Sequence, residues 1–122
     1  MIDIYMSTKK DTGDLLDNYI TITELIDNIR DINFIELGIG SYNGVQEMSI
    51  HIIDLEVSDI DHFLKQAKKY KQHSILVVNQ ETSVATLYYT NGKIEVIGKF
   101  KEVKEKPEGD FSYFGESFYI VE

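Results

Sequence analysis

Apolar residues recur along this chain with two periods, and each change of period marks an element. From Ser58 onward, Ile60, Phe63, Leu64, Ala67 and Tyr70 fall three and four apart, while Lys65, Lys68, Lys69 and Lys71 fill the other positions. That spacing predicts an amphipathic helix of about three turns, capped by Ser58, with cations at its carbonyl end. Ser74 to Val78 is short and β-branched and predicts a buried strand. Asn79 to Thr82 reads as a turn, after which Ser83 to Tyr89 returns antiparallel. Asn91-Gly92 then predicts a two-residue type I′ turn, because both positions accept positive φ. In that register Tyr89–Ile94 and Leu87–Val96 share the face that packs on the helix, and Tyr88 and Thr86 point the other way.

The first half repeats the theme. Ile2, Ile4 and Met6 alternate with Asp3 and Tyr5, which predicts a strand over Met1 to Ser7. Lys9 to Asn18 is a polar loop, and Thr21 to Arg30 carries the stripe Ile22, Leu25, Ile26 and Ile29 of a short helix. Phe34 to Asp54 predicts a hairpin about Asn43-Gly44, with Tyr42 opposite Val45. Counting outward, Ile35, Leu37 and Ile39 share a face with Met48, Ile50 and Ile52. The other face holds Glu36, Gly38 and Gly40 beside Glu47, Ser49 and His51. After the charged run Lys101 to Asp110, the tail from Phe111 to Glu122 holds five aromatic residues and ends in a strand over Phe118 to Val121.

These elements define an α+β domain spanning residues 1–122: a mostly antiparallel sheet built from two Asn-Gly hairpins, with one main amphipathic helix and one short helix packed on it. Composition narrows the chemistry. There is no cysteine, hence no disulfide, thiol nucleophile or thiolate metal site. No apolar run approaches the roughly 20 residues of a membrane-spanning helix, and no signal peptide is evident, so a cytoplasmic protein is expected. The net charge of −9 is concentrated in residues 1–64, which carry 13 acids against 3 bases. Such a surface repels nucleic acid and steers toward basic protein surfaces.

The glycine-stripped face is the leading site. Two glycines two apart remove side chains from one patch of strand, so a backbone or a ligand approaches there or the strand bulges. Gly38, Gly40, Ser49 and His51, with the aromatics Tyr88, Phe111 and Tyr113, are the candidate ligand-binding residues. His51 lies opposite Glu36 with Ser49 two residues along, a grouping that could activate a hydroxyl but has no oxyanion hole or sharp nucleophile turn beside it. The three histidines lack metal-ligand spacing, and Gly38-Ile-Gly40 lacks the third glycine and following helix of a dinucleotide fingerprint. No metal, cofactor or catalytic residue is assigned.

Two stretches carry family resemblances. Leu37-Gly-Ile-Gly-Ser-Tyr-Asn-Gly44, in an acidic chain, resembles the Leu…Tyr-Asn-x-Gly opening of ArdA-type antirestriction proteins. Ala67 to Val78 with Thr86 to Gly92 resembles the helix-to-hairpin unit of small phage proteins, including the nucleotide sponges that counter Thoeris defence. The resemblances imply a non-enzymatic acidic inhibitor, phage or mobile-element encoded, that blocks a bacterial protein through its basic surface. The alternative they imply is a sponge that sequesters a small cyclic-nucleotide signal at a homo-oligomer interface.

Overall fold

The computed structural model describes residues 1–7, 24, 35–42 and 44–122. Among them, eight strands close into a barrel: β1 (Ile2–Ser7), β2 (Ile35–Tyr42), β3 (Val45–Leu55), β4 (Ser74–Asn79), β5 (Val84–Tyr89), β6 (Ile94–Val103), β7 (Phe111–Phe114) and β8 (Ser117–Val121). The order round the barrel is β1-β3-β2-β7-β8-β6-β5-β4, every pairing is antiparallel, and β4 returns to β1. A single helical turn over Val57–Asp59 leads into the helix α1 (Ile60–Lys69).

This closure corrects the expected open sheet of an α+β domain. Hairpins are local and legible, whereas ring closure depends on pairings far apart in sequence. β1 joins β3 to β4, with Tyr5 opposite both His51 and Leu76. The expected aromatic tail is a hairpin, β7–β8, that inserts between β2 and β6. Its two-residue turn, Gly115-Glu116, has positive φ at both positions (55° and 68°), the type I′ geometry expected instead at Asn91-Gly92.

At Asn91-Gly92 the loop is one residue longer. The Tyr89 N–H donates to Lys93 O, and only Gly92 of the pair takes positive φ. The register therefore shifts by one, so Tyr88 faces Ile94 and Leu87 faces Glu95, until a bulge at Gly98 restores it. Leu87 accordingly packs inside the barrel, and Val96 lies on the outside, 67% exposed. The β2–β3 register follows the sequence expectation at every pair, from Tyr42↔Val45 to Ile35↔Ile52.

Two apolar clusters form on opposite faces of the wall. Outside, Phe63 and Ala67 of α1 and Tyr70 at its C-cap cover Ile4, Met6, Ile50, Ile52, Ile75 and Val77. Inside, Tyr5, Leu76, Val78, Ala85 and Phe114 pack with Leu87, Ile97, Phe100 and Tyr119. The expected cap at Ser58 moves upstream: the Asp59 carboxylate accepts from the Glu56 N–H at 2.9 Å, so the chain turns before the helix proper. The expected short helix over residues 21–30 lies, apart from Glu24, outside the described residues; the Glu24 carboxylate accepts from the Tyr70 hydroxyl at 3.1 Å. Among the described residues no helix is long and apolar enough to cross a membrane.

Candidate functional site

The polar face that the sequence sets opposite the apolar one on β2 and β3 becomes the barrel lumen. One end of that lumen is filled. Strand alternation sends Asp3 and Tyr5 inward from β1 and His51 inward from β3. The His51 ring stacks on Tyr5 with centroids 4.2 Å apart and meets the edge of Phe114 at 5.5 Å. Its Nε2 lies 3.0 Å from Asp3 Oδ2, which assigns the N–H to that nitrogen, while Nδ1 stands 3.6 Å from Glu36 Oε1. The other Asp3 oxygen accepts from the Asp54 N–H at 3.1 Å and from Gln80 Nε2 at 2.7 Å. Burial alone would raise the Asp3 carboxyl, but these donors and the His51 ring together hold it below the usual carboxylate value.

Gly38 belongs to this filled end. A Cβ there would stand 2.2 Å from Tyr113 O and 2.5 Å from the Phe114 ring, so the glycine exists to admit β7 and its phenylalanine. The Ser49 hydroxyl donates to Met6 O at 3.0 Å. It is committed to β1 and makes no Ser–His–Glu relay with His51.

The other end is open space. A cavity of about 910 Å³ lies between the loop after α1 (Gln72, His73) and the loop before β7 (Pro107, Gly109, Asp110), and runs in to Tyr5, Leu76 and Phe100. Its volume is in the upper part of the range for small-molecule sites. Tyr89, Phe100, Phe111 and Tyr119 give it aromatic walls, and Glu47 and Asp110 give it carboxylates; among the described residues no Lys or Arg lines it. Tyr119 stacks on Phe100 at 5.2 Å. Burial and the nearby Glu102 carboxylate push its hydroxyl above the ordinary phenol value, so it stays a neutral hydrogen-bond donor.

Of the seven residues expected to bind ligand, the structure places Ser49 and Phe111 in this cavity wall. His51 lies behind Tyr5. Gly38 lies under Phe114, and Gly40 sits in the wall opposite Ser112 and Glu47. Tyr113 lies in a shallow outer depression with Leu37 and Met48, and Tyr88 packs against the cluster beneath α1. Sequence reasoning missed Tyr5, Phe100, Tyr119, Glu47 and Gln72. The alternation of β1 had set Tyr5 opposite the Ile2, Ile4 and Met6 face, but only ring closure makes that side an interior.

An antiparallel barrel with an aromatic, carboxylate-bearing cavity at one end has room for a small molecule. Residues 4–122 match the S-adenosylmethionine lyase family, and the chain belongs to it. No individual curated protein matches the chain. The family is one of enzymes. It overturns the expectation of a non-enzymatic inhibitor of a basic protein target and that of a passive nucleotide sponge, and it is not the ArdA family. Acidity and a helix-to-hairpin unit are shared by many small proteins and do not report a reaction.

Proposed function

We propose that the lumen cavity binds S-adenosylmethionine and that the chain cleaves its sulfonium–carbon bond without water as a reactant. The observation that carries this reading is the cavity lining: among the described residues it offers aromatic faces and the carboxylates of Glu47 and Asp110, with no Lys or Arg. A sulfonium is a permanent cation with little hydrogen-bonding capacity. It is held best over aromatic rings and near carboxylates, as quaternary ammonium ligands are. The substrate also carries an ammonium group and one carboxylate, so its net charge suits an acidic protein.

The chemistry needs little from the protein beyond shape. The substrate's own carboxylate can reach its γ-carbon and close a five-membered ring. The carboxylate oxygen forms the new C–O bond, the S–Cγ bond breaks, and its electron pair leaves with sulfur. The products are homoserine lactone and neutral 5′-methylthioadenosine, and no proton is transferred. Folding the methionine chain into that geometry in a site poor in water is the main rate term available. Tyr5, Phe100 and Tyr119 are the walls that would hold the fold, with Glu47 or Asp110 on the ammonium. Ser49 and Phe111 contribute to the same wall, and His51 steadies Tyr5 from behind.

Loss of S-adenosylmethionine would starve a host's methyltransferases, a reading compatible with an anti-defence role in a broad sense. The test is incubation of the purified protein with S-adenosylmethionine in ¹⁸O-water, followed by mass spectrometry. The expected products are 5′-methylthioadenosine and a lactone that, on later opening, carries label only in its carboxylate. Label on the γ-oxygen would mean direct hydrolysis, and unchanged substrate would sink the reading.

A further inference from the structure

Four rings run in a row through the lumen, one from each of four strands. His51 of β3 stacks on Tyr5 of β1, with centroids 4.2 Å apart and planes 8° from parallel. Tyr5 meets Phe100 of β6 at 4.8 Å, and Phe100 stacks on Tyr119 of β8 at 5.2 Å and 9°. Tyr5, Phe100 and Tyr119 all line the cavity. The outer face of the same wall is packed largely with aliphatic side chains, so a row of rings on the inner one needs a further reason.

Both ends of the row meet carboxylates. His51 Nε2 lies 3.0 Å from Asp3 Oδ2. At the other end the Tyr119 hydroxyl donates to the carboxylate of Glu102, its partner across the β6–β8 pairing, and the Ser117 hydroxyl reaches the same phenol oxygen. Glu36 stands 3.6 Å from His51 Nδ1, and its charge is felt at Tyr119 as well. A phenol that donates to a carboxylate is polarised by it, which makes the face of its ring more negative. The quadrupole that attracts cations is strengthened accordingly. Burial, with the Glu102 and Glu36 charges, keeps the proton on the Tyr119 hydroxyl, so the link persists at neutral pH.

We infer that the Tyr119 end of this row seats the sulfonium, and that Glu102 is a specificity-determining residue that acts through the Tyr119 ring to favour a charged sulfur over a neutral one. Glu102 is exposed on β6 and is not itself part of the cavity wall. Phe100 occupies one face of Tyr119, and the sulfur goes to the side left toward the cavity. A sulfonium has no hydrogen to donate, so ring faces and carboxylates are what can tell it from a thioether. The inference rests on the proposal that the cavity takes S-adenosylmethionine. It adds which wall selects the charge, and that the neutral thioether left by cleavage is held less tightly there.

The test compares 5′-methylthioadenosine with its S-methylated form, a dimethylsulfonium that lacks the carboxylate needed to close a ring and so is not consumed. The two differ by one methyl group and one positive charge. Titrated calorimetrically into the whole protein, the sulfonium should bind wild type about 5- to 30-fold more tightly. Tyr119→Phe keeps the ring and removes the hydroxyl, and Glu102→Gln keeps the shape and removes the charge. Each should reduce the preference about two- to fourfold and leave the thioether affinity unchanged. The double variant should be no worse than either single one, since both break the same link. Glu81→Gln, an equal loss of charge on the exposed β4–β5 turn, should leave the preference as it is. A preference untouched by Tyr119→Phe or Glu102→Gln, an additive double variant, or an equal effect of Glu81→Gln overturns the assignment. A wild type that consumes S-adenosylmethionine yet binds both compounds alike removes only this role of Tyr119 and Glu102. One that neither consumes the substrate nor binds either compound removes the lyase reading as well.

Discussion

The two faces of the barrel wall are built from the same strands and solve different problems. On the outer face, α1 lies on Ile4, Ile50, Ile52, Ile75 and Val77, an aliphatic layer that is fully buried or nearly so. On the inner face the same strands carry Asp3, Tyr5, Ser49, His51, Leu76 and Val78, mixed in polarity, rich in rings and incomplete at one end. β1 shows the division most plainly, since Ile2, Ile4 and Met6 face out while Asp3 and Tyr5 face in. The outer layer is closed by α1, and the inner one leaves open space at one end.

That division should break under paired truncations. Phe63→Ala removes a ring with no exposure from the outer layer. It should cost about 3–5 kcal/mol in denaturant unfolding, with the affinity of the remaining folded protein for 5′-methylthioadenosine unchanged. Phe100→Ala, in the half-exposed cavity wall, should do the reverse: a small loss of stability and a clear loss of ligand affinity. Equal effects of both on both measurements would mean the faces are not separate in function.

Next in size is Gly38→Ala, which puts a methyl group into the Tyr113 carbonyl and the Phe114 ring. The strain should cost about 1–3 kcal/mol or more, and β7 should lose amide-exchange protection before β3 does. A neutral result would show that β7 shifts freely and that the filled end of the lumen is soft.

A smaller and pH-dependent effect is expected at Asp3. Its folded value is depressed, so its contribution is fully present above the unfolded carboxylate value and is lost as pH falls through the folded one. The melting temperature of Asp3→Asn should therefore trail wild type near neutrality, and the gap should close below about pH 4. A gap that does not narrow as pH falls below the unfolded carboxylate value would place the stabilisation in packing instead. The smallest effect is a gain. Lys71→Gly relieves a left-handed non-glycine residue and should raise stability by about 0.5–1 kcal/mol.

How much of this was legible in the sequence varies by element for physical reasons. Asn43-Gly44 fixed the β2–β3 register, and with it the placement of Ser49 and His51 on one face, because a two-residue turn leaves no freedom. Asn91-Gly92 looked identical, but its loop closes over three residues with the Asn91 side chain accepting from the Lys93 N–H at 3.0 Å. The Gly115-Glu116 turn was invisible because glutamate rarely takes positive φ, so β7 read as a loose tail. The cavity was beyond reach for a further reason. It exists only once β1 meets β4 and β7 meets β2, contacts that no local pattern encodes. The row of rings from His51 to Tyr119 draws on four strands and leaves no trace in residue type.

The stacked rings of Tyr5 and His51, with Phe114 set edge-on to both and Asp3 and Gln80 behind them, fill the far end of the lumen. Among the described residues, the open space of the barrel lies between the loop after α1 and the loop before β7. A ligand lodged there would enter and leave past those two loops. Departure then has a queue, in which the fragment lodged nearer the loops leaves first and the deeper one waits, so that traffic through the opening can set the pace of turnover however fast the bond breaks.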